Sequence, residues 1–523
     1  MSDDGSGASR VRHRFPPLER RGVIAGWRAG QVGAVAVSLV AAVLSIRSRP
    51  SLSGVVVAVL LVGAGVTMAF WPIAGRTGEQ WFPVVVRWGW AGATGHRFQP
   101  DRGPSMGTTV TTDGRRGLRA AGGVGRSSAA AASVFDGLLL TDARHLESSR
   151  PDPAGAGAGG RGGGASGMGV VVDDRARTVT AVLALRGHSF ALLGPAEQDA
   201  RVAGWARVLA SLARDGSAVH RLQWVESCLP DDGGAVRNHL EDHGVLAEDA
   251  PAGRSYRALL DEASPVTRRH RILVAVSVHR RRSARAIRSA GDGLPGAVAV
   301  LHREVSAVRT TLEGVDVGVD GLLDRSALAG VLVEALAPAP DGSGTAIGGP
   351  SAAGAPWPMA TLAEWDSVHT DGTWHATYWV AEWPRVDVQP DFLGPLLFAP
   401  LRRTLSVVME PVDPARAARQ VAQARTAGMA DGELRRRNGF LTTARHTRER
   451  QSVDERDVEL ADGHAQFRFS GYLGVTADSA AELVEACAAL EQAAGHARLE
   501  ARRLFGQQDA ALLCLLPLGR GLS

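Results

Sequence analysis

Two long apolar runs open the chain. Residues 29–46 carry no charge and are rich in Val, Ala and Leu, and after Arg47, Ser48 and Arg49 a second uncharged run covers 50–75. About 20 consecutive apolar residues suffice for a helix to cross a bilayer, and inside lipid a lone segment satisfies its own backbone only as a helix. The pattern therefore predicts a transmembrane helical hairpin over 29–75. A buried hairpin of a water-soluble protein is the competing reading, and the near absence of polar residues in both runs argues against it. Two crossings put both chain ends on one side. Arg10, Arg12, Arg14, Arg20, Arg21 and Arg28 precede the first run, Arg76 and Arg87 follow the second, and only Arg47 and Arg49 lie between. The positive-inside rule then places the protein in the cell membrane as a multi-pass protein with both termini cytoplasmic. The segment Glu19-Arg20-Arg21-Gly22-Val23-Ile24 also partly matches a twin-arginine export signal, but the second apolar run directly behind it favours a permanent anchor.

Trp27 and Trp71 fall near the ends of the apolar runs, and Trp81, Trp88 and Trp90 follow in a short aromatic stretch interrupted by Arg87. Indole rings favour the membrane interface, which makes these five tryptophans candidate membrane-interface residues. Residues 76–98 read as an interfacial segment or, equally, as the first element of the domain behind it.

Past residue 98 the pattern switches between periods of about 2 and 3.6. Strands are expected at 135–140, 178–185, 189–193, 219–227, 271–279, 373–382, 405–410, 466–475 and 496–504. Helices are expected at 195–214, around Leu240, and at 255–262, 297–312 and 324–336. Asp413-Pro414 supplies an N-cap and a first-position proline for another helix, and arginine-rich helical sequence continues from there towards 460. Asp478 opens a helix to about 494, and 508–518 is a last apolar element. Gly, Ala, Ser and Pro dominate 100–134, 148–169 and 338–356, as in linkers or loop insertions. The fold class that follows is α+β: an N-terminal transmembrane hairpin, then cytoplasmic layered α+β domains. The divisions are a basic N-terminal segment at 1–28, the hairpin at 29–75, the Trp-rich segment at 76–98, a low-complexity linker or insertion at 99–176, an α+β domain at 177–337, a linker at 338–356 and a C-terminal α+β domain at 357–523. No strict repeat period is visible.

Composition narrows the chemistry. The chain has 523 residues, a formal net charge of +4 and no lysine, so arginine carries the positive charge. A P-loop of the G-x-x-x-x-G-K-[ST] form needs a lysine, as does Schiff-base catalysis, so both are excluded. Cys228, Cys487 and Cys514 have largely apolar neighbours and no CxxC spacing, which suits small buried side chains rather than a disulfide framework or a zinc site.

Motif matches are weak. Gly155-x-Gly157-x-x-Gly160 spells a dinucleotide fingerprint but lacks the strand before it and the helix after it. Gly103-Pro104-Ser105-Met106-Gly107 spells a nucleophile elbow with the same deficiency. His239 and His243 stand at i and i+4, where one helical face could offer both to a metal, although Gly244 ends the element and no third ligand is apparent. His369 and His375 form a similar incomplete pair. No catalytic, cofactor-binding or metal-binding residue is expected.

Arginine clusters carry more weight. One contains Arg268, Arg269, Arg271, Arg280, Arg281, Arg282, Arg285 and Arg288. The other contains Arg435, Arg436, Arg437, Arg445, Arg448 and Arg450, with Glu449, Asp454, Glu455 and Asp457 close by. The candidate basic contact surface is Arg268, Arg269, Arg280, Arg281, Arg282, Arg435, Arg436 and Arg437. A solvated, internally paired face is the plain reading; protein, anionic lipid and nucleic acid are the alternatives. Trp357, Trp365, Trp374, Trp379 and Trp383 are dense for so aromatic-poor a chain, and suit either a sheet core or a partner surface.

The opening stretch from His13-Arg14-Phe15-Pro16-Pro17-Leu18-Glu19 to Gly26-Trp27, the hairpin and the Trp-rich exit resemble a family of actinobacterial integral membrane proteins that accompany conjugation-type gene clusters. The hairpin is similar to the small two-helix inner-membrane subunit of type IV secretion systems. Residues 405–411, the helix of Arg435-Arg436-Arg437, residues 467–475 and the run from Arg502-Arg503-Leu504-Phe505-Gly506-Gln507-Gln508 through Leu515-Leu516-Pro517-Leu518-Gly519 resemble the N-terminal non-ATPase domain of the conjugation ATPases. No motor domain follows in this sequence, so no ATP-binding residue carries over. The resemblance implies a non-enzymatic scaffold without a cofactor, which docks a separately encoded P-loop secretion ATPase beside other membrane secretion subunits in the lipid bilayer and assembles as an oligomer. Nucleic acid would be an indirect partner. A type VII secretion membrane component, a membrane-tethered nucleic-acid-binding module and a tethered metal enzyme using His239 and His243 are the alternatives.

Overall fold

The structure is a computed structural model. It describes residues 29–48, 50–73, 76–95, 97–100, 134–135, 137–147, 167–187, 190–214, 216–231, 240, 243, 250–263, 268–337, 356–437 and 444–521. Trp27, the twin-arginine segment, the two glycine motifs and His239 lie outside the described residues.

The two apolar runs form helices α1 (Ala29–Ser48) and α2 (Leu52–Phe70), both long and apolar enough to cross a membrane by length and composition. They pack on each other, and Gln31 donates to the Ala69 carbonyl at 3.0 Å. Val37, Val40, Val43, Leu52, Val59 and Leu60 each keep more than half of their surface exposed. This apolar exterior is costly in water and favourable in lipid. A short ladder, β1 (Pro72–Ile73) with β2 (Arg76–Thr77), turns the chain into α3 (Gly78–Ala93).

The remainder is mixed helix and sheet. In chain order it runs β3 (Phe98–Pro100), β4 (Leu138–Asp142), α4 (Ala143–Glu147), β5 (Gly169–Asp173), β6 (Thr178–Arg186), α5 (Pro195–Leu212) and β7 (Val219–Pro230). Next come α6 (Pro251–Ala263), β8 (Arg268–His279), α7 (Ala284–Ser289), α8 (Gly293–Glu313), β9 (Gly318–Leu322) and α9 (Arg325–Leu336). The second half is β10 (Ala360–Ala363), β11 (Val368–Thr370), β12 (Thr373–Glu382), α10 (Gly394–Leu397), β13 (Arg403–Pro411), α11 (Pro414–Arg437), α12 (Ala444–Ala461), β14 (Phe467–Ala477), α13 (Ala480–His496), β15 (Glu500–Arg503) and α14 (Gln508–Leu512).

All strands from β3 onward join one thirteen-stranded antiparallel sheet, in the order β3-β10-β11-β12-β14-β13-β7-β8-β6-β5-β4, with β15 added to β12 and β9 to β6. From β10 to β4 the order reads alike from both ends. A meander (β4-β5-β6 or β10-β11-β12) lies outside, then β8 or β14, then β7 or β13 at the centre. In each half a long helix follows, α8 or α13, and then a short strand that returns antiparallel to the third meander strand. The chain thus holds two similarly wound units, joined antiparallel through β7 and β13 about a local two-fold axis. The sheet runs unbroken across the boundary expected at 338–356. It also recruits β4, which overlaps the strand expected at 135–140, and β5, which was not expected, from the linker or insertion at 99–176. The segment expected as a strand at 189–193 contains instead a single 3-10 turn at Phe190–Leu192.

Strand residues alternate between two covered faces. Val170, Val172, Leu183, Leu222, Val274 and Val276 pack under α5 and α8. Leu405, Leu473 and Val475 pack on the same face of the other unit, under α13. Val171, Val182, Val225, Leu273 and Ala275 face the opposite way, towards α9 and the chain between Leu512 and Leu518. Burial on both faces explains why β5, β6 and β8 read as continuous apolar runs rather than alternating ones.

Candidate functional site

The part of the molecule that distinguishes it from an ordinary sheet protein is the junction between the apolar hairpin and the sheet. Helix α3 lays Trp81 and Trp88 against Trp365, which sits between β10 and β11. The Trp81 and Trp365 rings stack at 5.9 Å, and Trp88 meets Trp365 edge-on at 5.5 Å. Phe505, just after β15, completes the cluster at 6.2 Å from Trp81 and 6.3 Å from Trp365. Arg97 caps the cluster, its guanidinium 3.9 Å from the Trp88 ring centre. Such contacts add about 0.5–1.5 kcal/mol per aromatic pair beyond burial. Of the tryptophans expected at a membrane interface, Trp81 and Trp88 therefore pack on the sheet, whereas Trp71 and Trp90 are 66% and 71% exposed. Trp365 and Phe505 were missed as junction residues; the density of tryptophan around 357–383 was the only signal. The other tryptophans there serve the sheet separately. Trp357 stacks on Phe135, Trp374 packs on His369, Trp379 donates to Ser470 and Trp383 meets Phe469.

Gly506 locks the cluster. Its N–H donates to the Trp365 carbonyl at 2.6 Å and its φ is +66°. A Cβ there would lie 2.7 Å from the Trp365 ring and 2.9 Å from Val84 of α3. Gly506→Val should therefore strain the backbone and pry α3 off the sheet, at a cost of about 1–3 kcal/mol. The expected readout is faster amide hydrogen exchange across α3 with β7, β8 and β13 unchanged; unchanged exchange in α3 would refute the locking role.

In the first arginine cluster, four guanidinium groups are held by carboxylates of the fold. Arg269 and Arg271 both pair with Glu334 of α9. Arg280 pairs with Asp174 at 2.6 Å. Arg282 reaches Glu410 at 2.8 Å, and Arg221 shares the same carboxylate at 3.4 Å. Against the penalty of burial, the neighbouring Arg282, His220 and Arg221 hold the Glu410 carboxyl below its usual range. Burial, assisted by Arg221, pushes the His220 imidazole down to about 4, so it is neutral at physiological pH. Arg268 is half-buried at the start of β8, and Arg281 is exposed. Arg436 and Arg437 both bind Glu433, at 3.0 and 2.9 Å. Of Arg435 only its place on α11 is described.

His369 packs on the Trp374 ring, and His375 lies on the other face of the β11–β12 pair. His375 is buried, with Thr370, Thr373 and the Leu336 carbonyl around Nε2 and Thr476 at Nδ1, and burial drives its pKa down to about 4. It stitches β11, β12, β14 and the end of α9 together. Among the described residues, no three His, Cys, Asp or Glu side chains converge as a metal site requires. Cys228 and Cys487 are buried free thiols, and Cys514 is half-buried.

Compared with known proteins, the chain matches no family model and no curated protein.

Proposed function

We propose that this chain is a non-enzymatic inner-membrane scaffold of a type IV secretion or conjugation-like machine, docking a separately encoded P-loop ATPase at the cytoplasmic face. The observation that carries the reading is the aromatic junction, in which an apolar helix pair is clamped through α3 to a large two-unit sheet. A hexameric motor works against the membrane, so its platform must transmit force and orientation rather than turn over a substrate. The stacked Trp81, Trp88, Trp365 and Phe505 rings suit that task, because a rigid attachment gives the sheet one orientation relative to the bilayer. The arginine bias around α1 and α2 supports cytoplasmic termini. The internal pairing of Arg269, Arg271, Arg280 and Arg282 weakens the nucleic-acid reading at the first cluster, since a guanidinium already held by a carboxylate is less available to phosphate.

Mild-detergent extraction of the tagged full-length chain from its native membrane, followed by mass spectrometry, tests the proposal. A conjugation-type P-loop ATPase among the main co-purifying proteins is the expected result. A type VII motor in its place would move the chain to that system. Recovery of the chain alone, under conditions that preserve other membrane complexes, would overturn the scaffold reading.

A further inference from the structure

Strands β13 and β14 are antiparallel neighbours, paired from Arg403↔Val475 to Pro411↔Phe467, and the Val412 N–H still donates to the Gln466 carbonyl. A two-residue turn would join such a pair. Instead α11 and α12 intervene as a helical arm that the sheet does not require. The arm touches the body at its root, where Ala417 and Val421 are buried. Past Val421 no described residue of α11 or α12 is buried. The 24 residues of α11 extend about 36 Å at 1.5 Å per residue. Small residues and ion pairs hold the two helices together. Arg425 pairs with Asp457, and a Cβ at Gly432 would lie 3.2 Å from the Arg450 guanidinium. With so little apolar seam, the arm gains little from its own packing. It nevertheless presents Met429 and Val458 to solvent at 66% and 60% exposure.

Charge is graded along the arm. The root half carries both signs, Asp454, Glu455, Asp457 and Glu459 of α12 against Arg456 and against Arg416, Arg419 and Arg425 of α11, while the far end of α12 carries Arg445, Arg448 and Arg450 against Glu449. The far end of α11 adds Arg435, Arg436 and Arg437 against Asp431 and Glu433, and Glu433 serves two of them. The far end is therefore basic and the root half near neutral, so a polyanion lying along the arm would meet carboxylates as well as arginines. That mixture favours a protein partner over nucleic acid or a lipid surface.

We propose that the α11–α12 arm is a docking element whose basic far end receives an acidic surface of a protein partner. Resting on the scaffold reading above, that surface belongs to the P-loop ATPase. Photo-crosslinking in the native membrane tests it, with a benzophenone amino acid replacing Met429 or Gln451 of the full-length chain. The same replacement at Leu192, 85% exposed and outside the arm, is the control. The expected adduct maps to an Asp/Glu-rich peptide of the ATPase and falls at least tenfold when Arg436, Arg437, Arg448 and Arg450 are all changed to Glu. An adduct on an acidic peptide of a different protein, lost in the same variant, supports the docking arm and overturns the ATPase assignment. If the ATPase co-purifies but the arm crosslinks only to lipid, nucleic acid, a second copy or nothing, the docking arm is overturned and the scaffold reading stands.

Discussion

Changing Glu226 to alanine lowers the stability of the detergent-solubilised full chain by about 3–5 kcal/mol, the penalty for leaving one member of a buried ion pair without its partner. Glu226 of β7 and Arg403 of β13 face each other across the central strand pair of the sheet, with side chains 4% and 1% exposed. Both terminal guanidinium nitrogens of Arg403 donate to the Glu226 carboxylate, and one also reaches the Leu397 carbonyl. His270 Nδ1 lies 2.7 Å from the same carboxylate. In the alanine variant the guanidinium stays buried without its carboxylate partner. Replacing the pair together, with Glu226→Leu and Arg403→Met, restores most of the loss, since two apolar groups of similar volume need no partner. Thermal and denaturant unfolding of the three variants measures both terms. A single variant within 1 kcal/mol of the parent would show that the pair is hydrated.

This pair could not be read from the sequence. Glu226 and Arg403 stand 177 positions apart, and a register between β7 and β13 is needed before they meet. Local signals fared better. The two apolar runs produced helices close to their expected bounds, because nothing competes with hydrophobicity over such lengths. The strand at Thr373–Glu382 appeared at its expected bounds. Asp413 caps α11 as expected, accepting from the Arg416 N–H at 3.0 Å, whereas Ser479 rather than Asp478 caps α13. Strand β5 was hidden in a Gly/Ala-rich neighbourhood, where five residues buried on both faces offer no alternation to detect. The two-unit architecture was invisible for a related reason: the halves share the order of their elements and the pairing of their strands, neither of which imposes a residue period. A paired face was the plain reading of the arginine clusters, but the partners of the first could not be named because Glu334, Asp174 and Glu410 lie far from it in the chain. Among the junction residues, only the tryptophans of α3 were legible.

Gln223→Leu should cost about 3 kcal/mol, because a buried donor is stranded and several hydrogen bonds are lost at once. Gln223 is fully buried on β7. Its Nε2 lies within 3.0 Å of Ser406 Oγ and of the Cys514 and Leu516 carbonyls, and its Oε1 accepts from the Gly519 N–H at 2.7 Å. One side chain thereby fastens the segment from Cys514 to Gly519 across the strand pair that joins the two units. Farther along, Arg221 donates to the Gly519 carbonyl at 3.2 Å and Arg520 pairs with Asp173 of β5 at 2.5 Å. The segment starts from α14, beside the second unit, and ends on a strand of the first, so it straps the halves together. Leucine fills much the same volume but can neither accept from Gly519 nor donate to the carbonyls. Amides from Ala511 to Arg520 should then exchange faster, while those of the α11–α12 arm stay as they were. Ser406→Ala, which removes a single hydroxyl that also donates to the Cys514 carbonyl at 2.7 Å, should cost only about 1 kcal/mol. Equal losses in the two variants would mean that the strap is held by apolar packing of Leu512, Leu516 and Leu518 rather than by Gln223. Directional hydrogen bonds fix the register of the strap on the sheet, a constraint that non-directional apolar contacts supply less sharply.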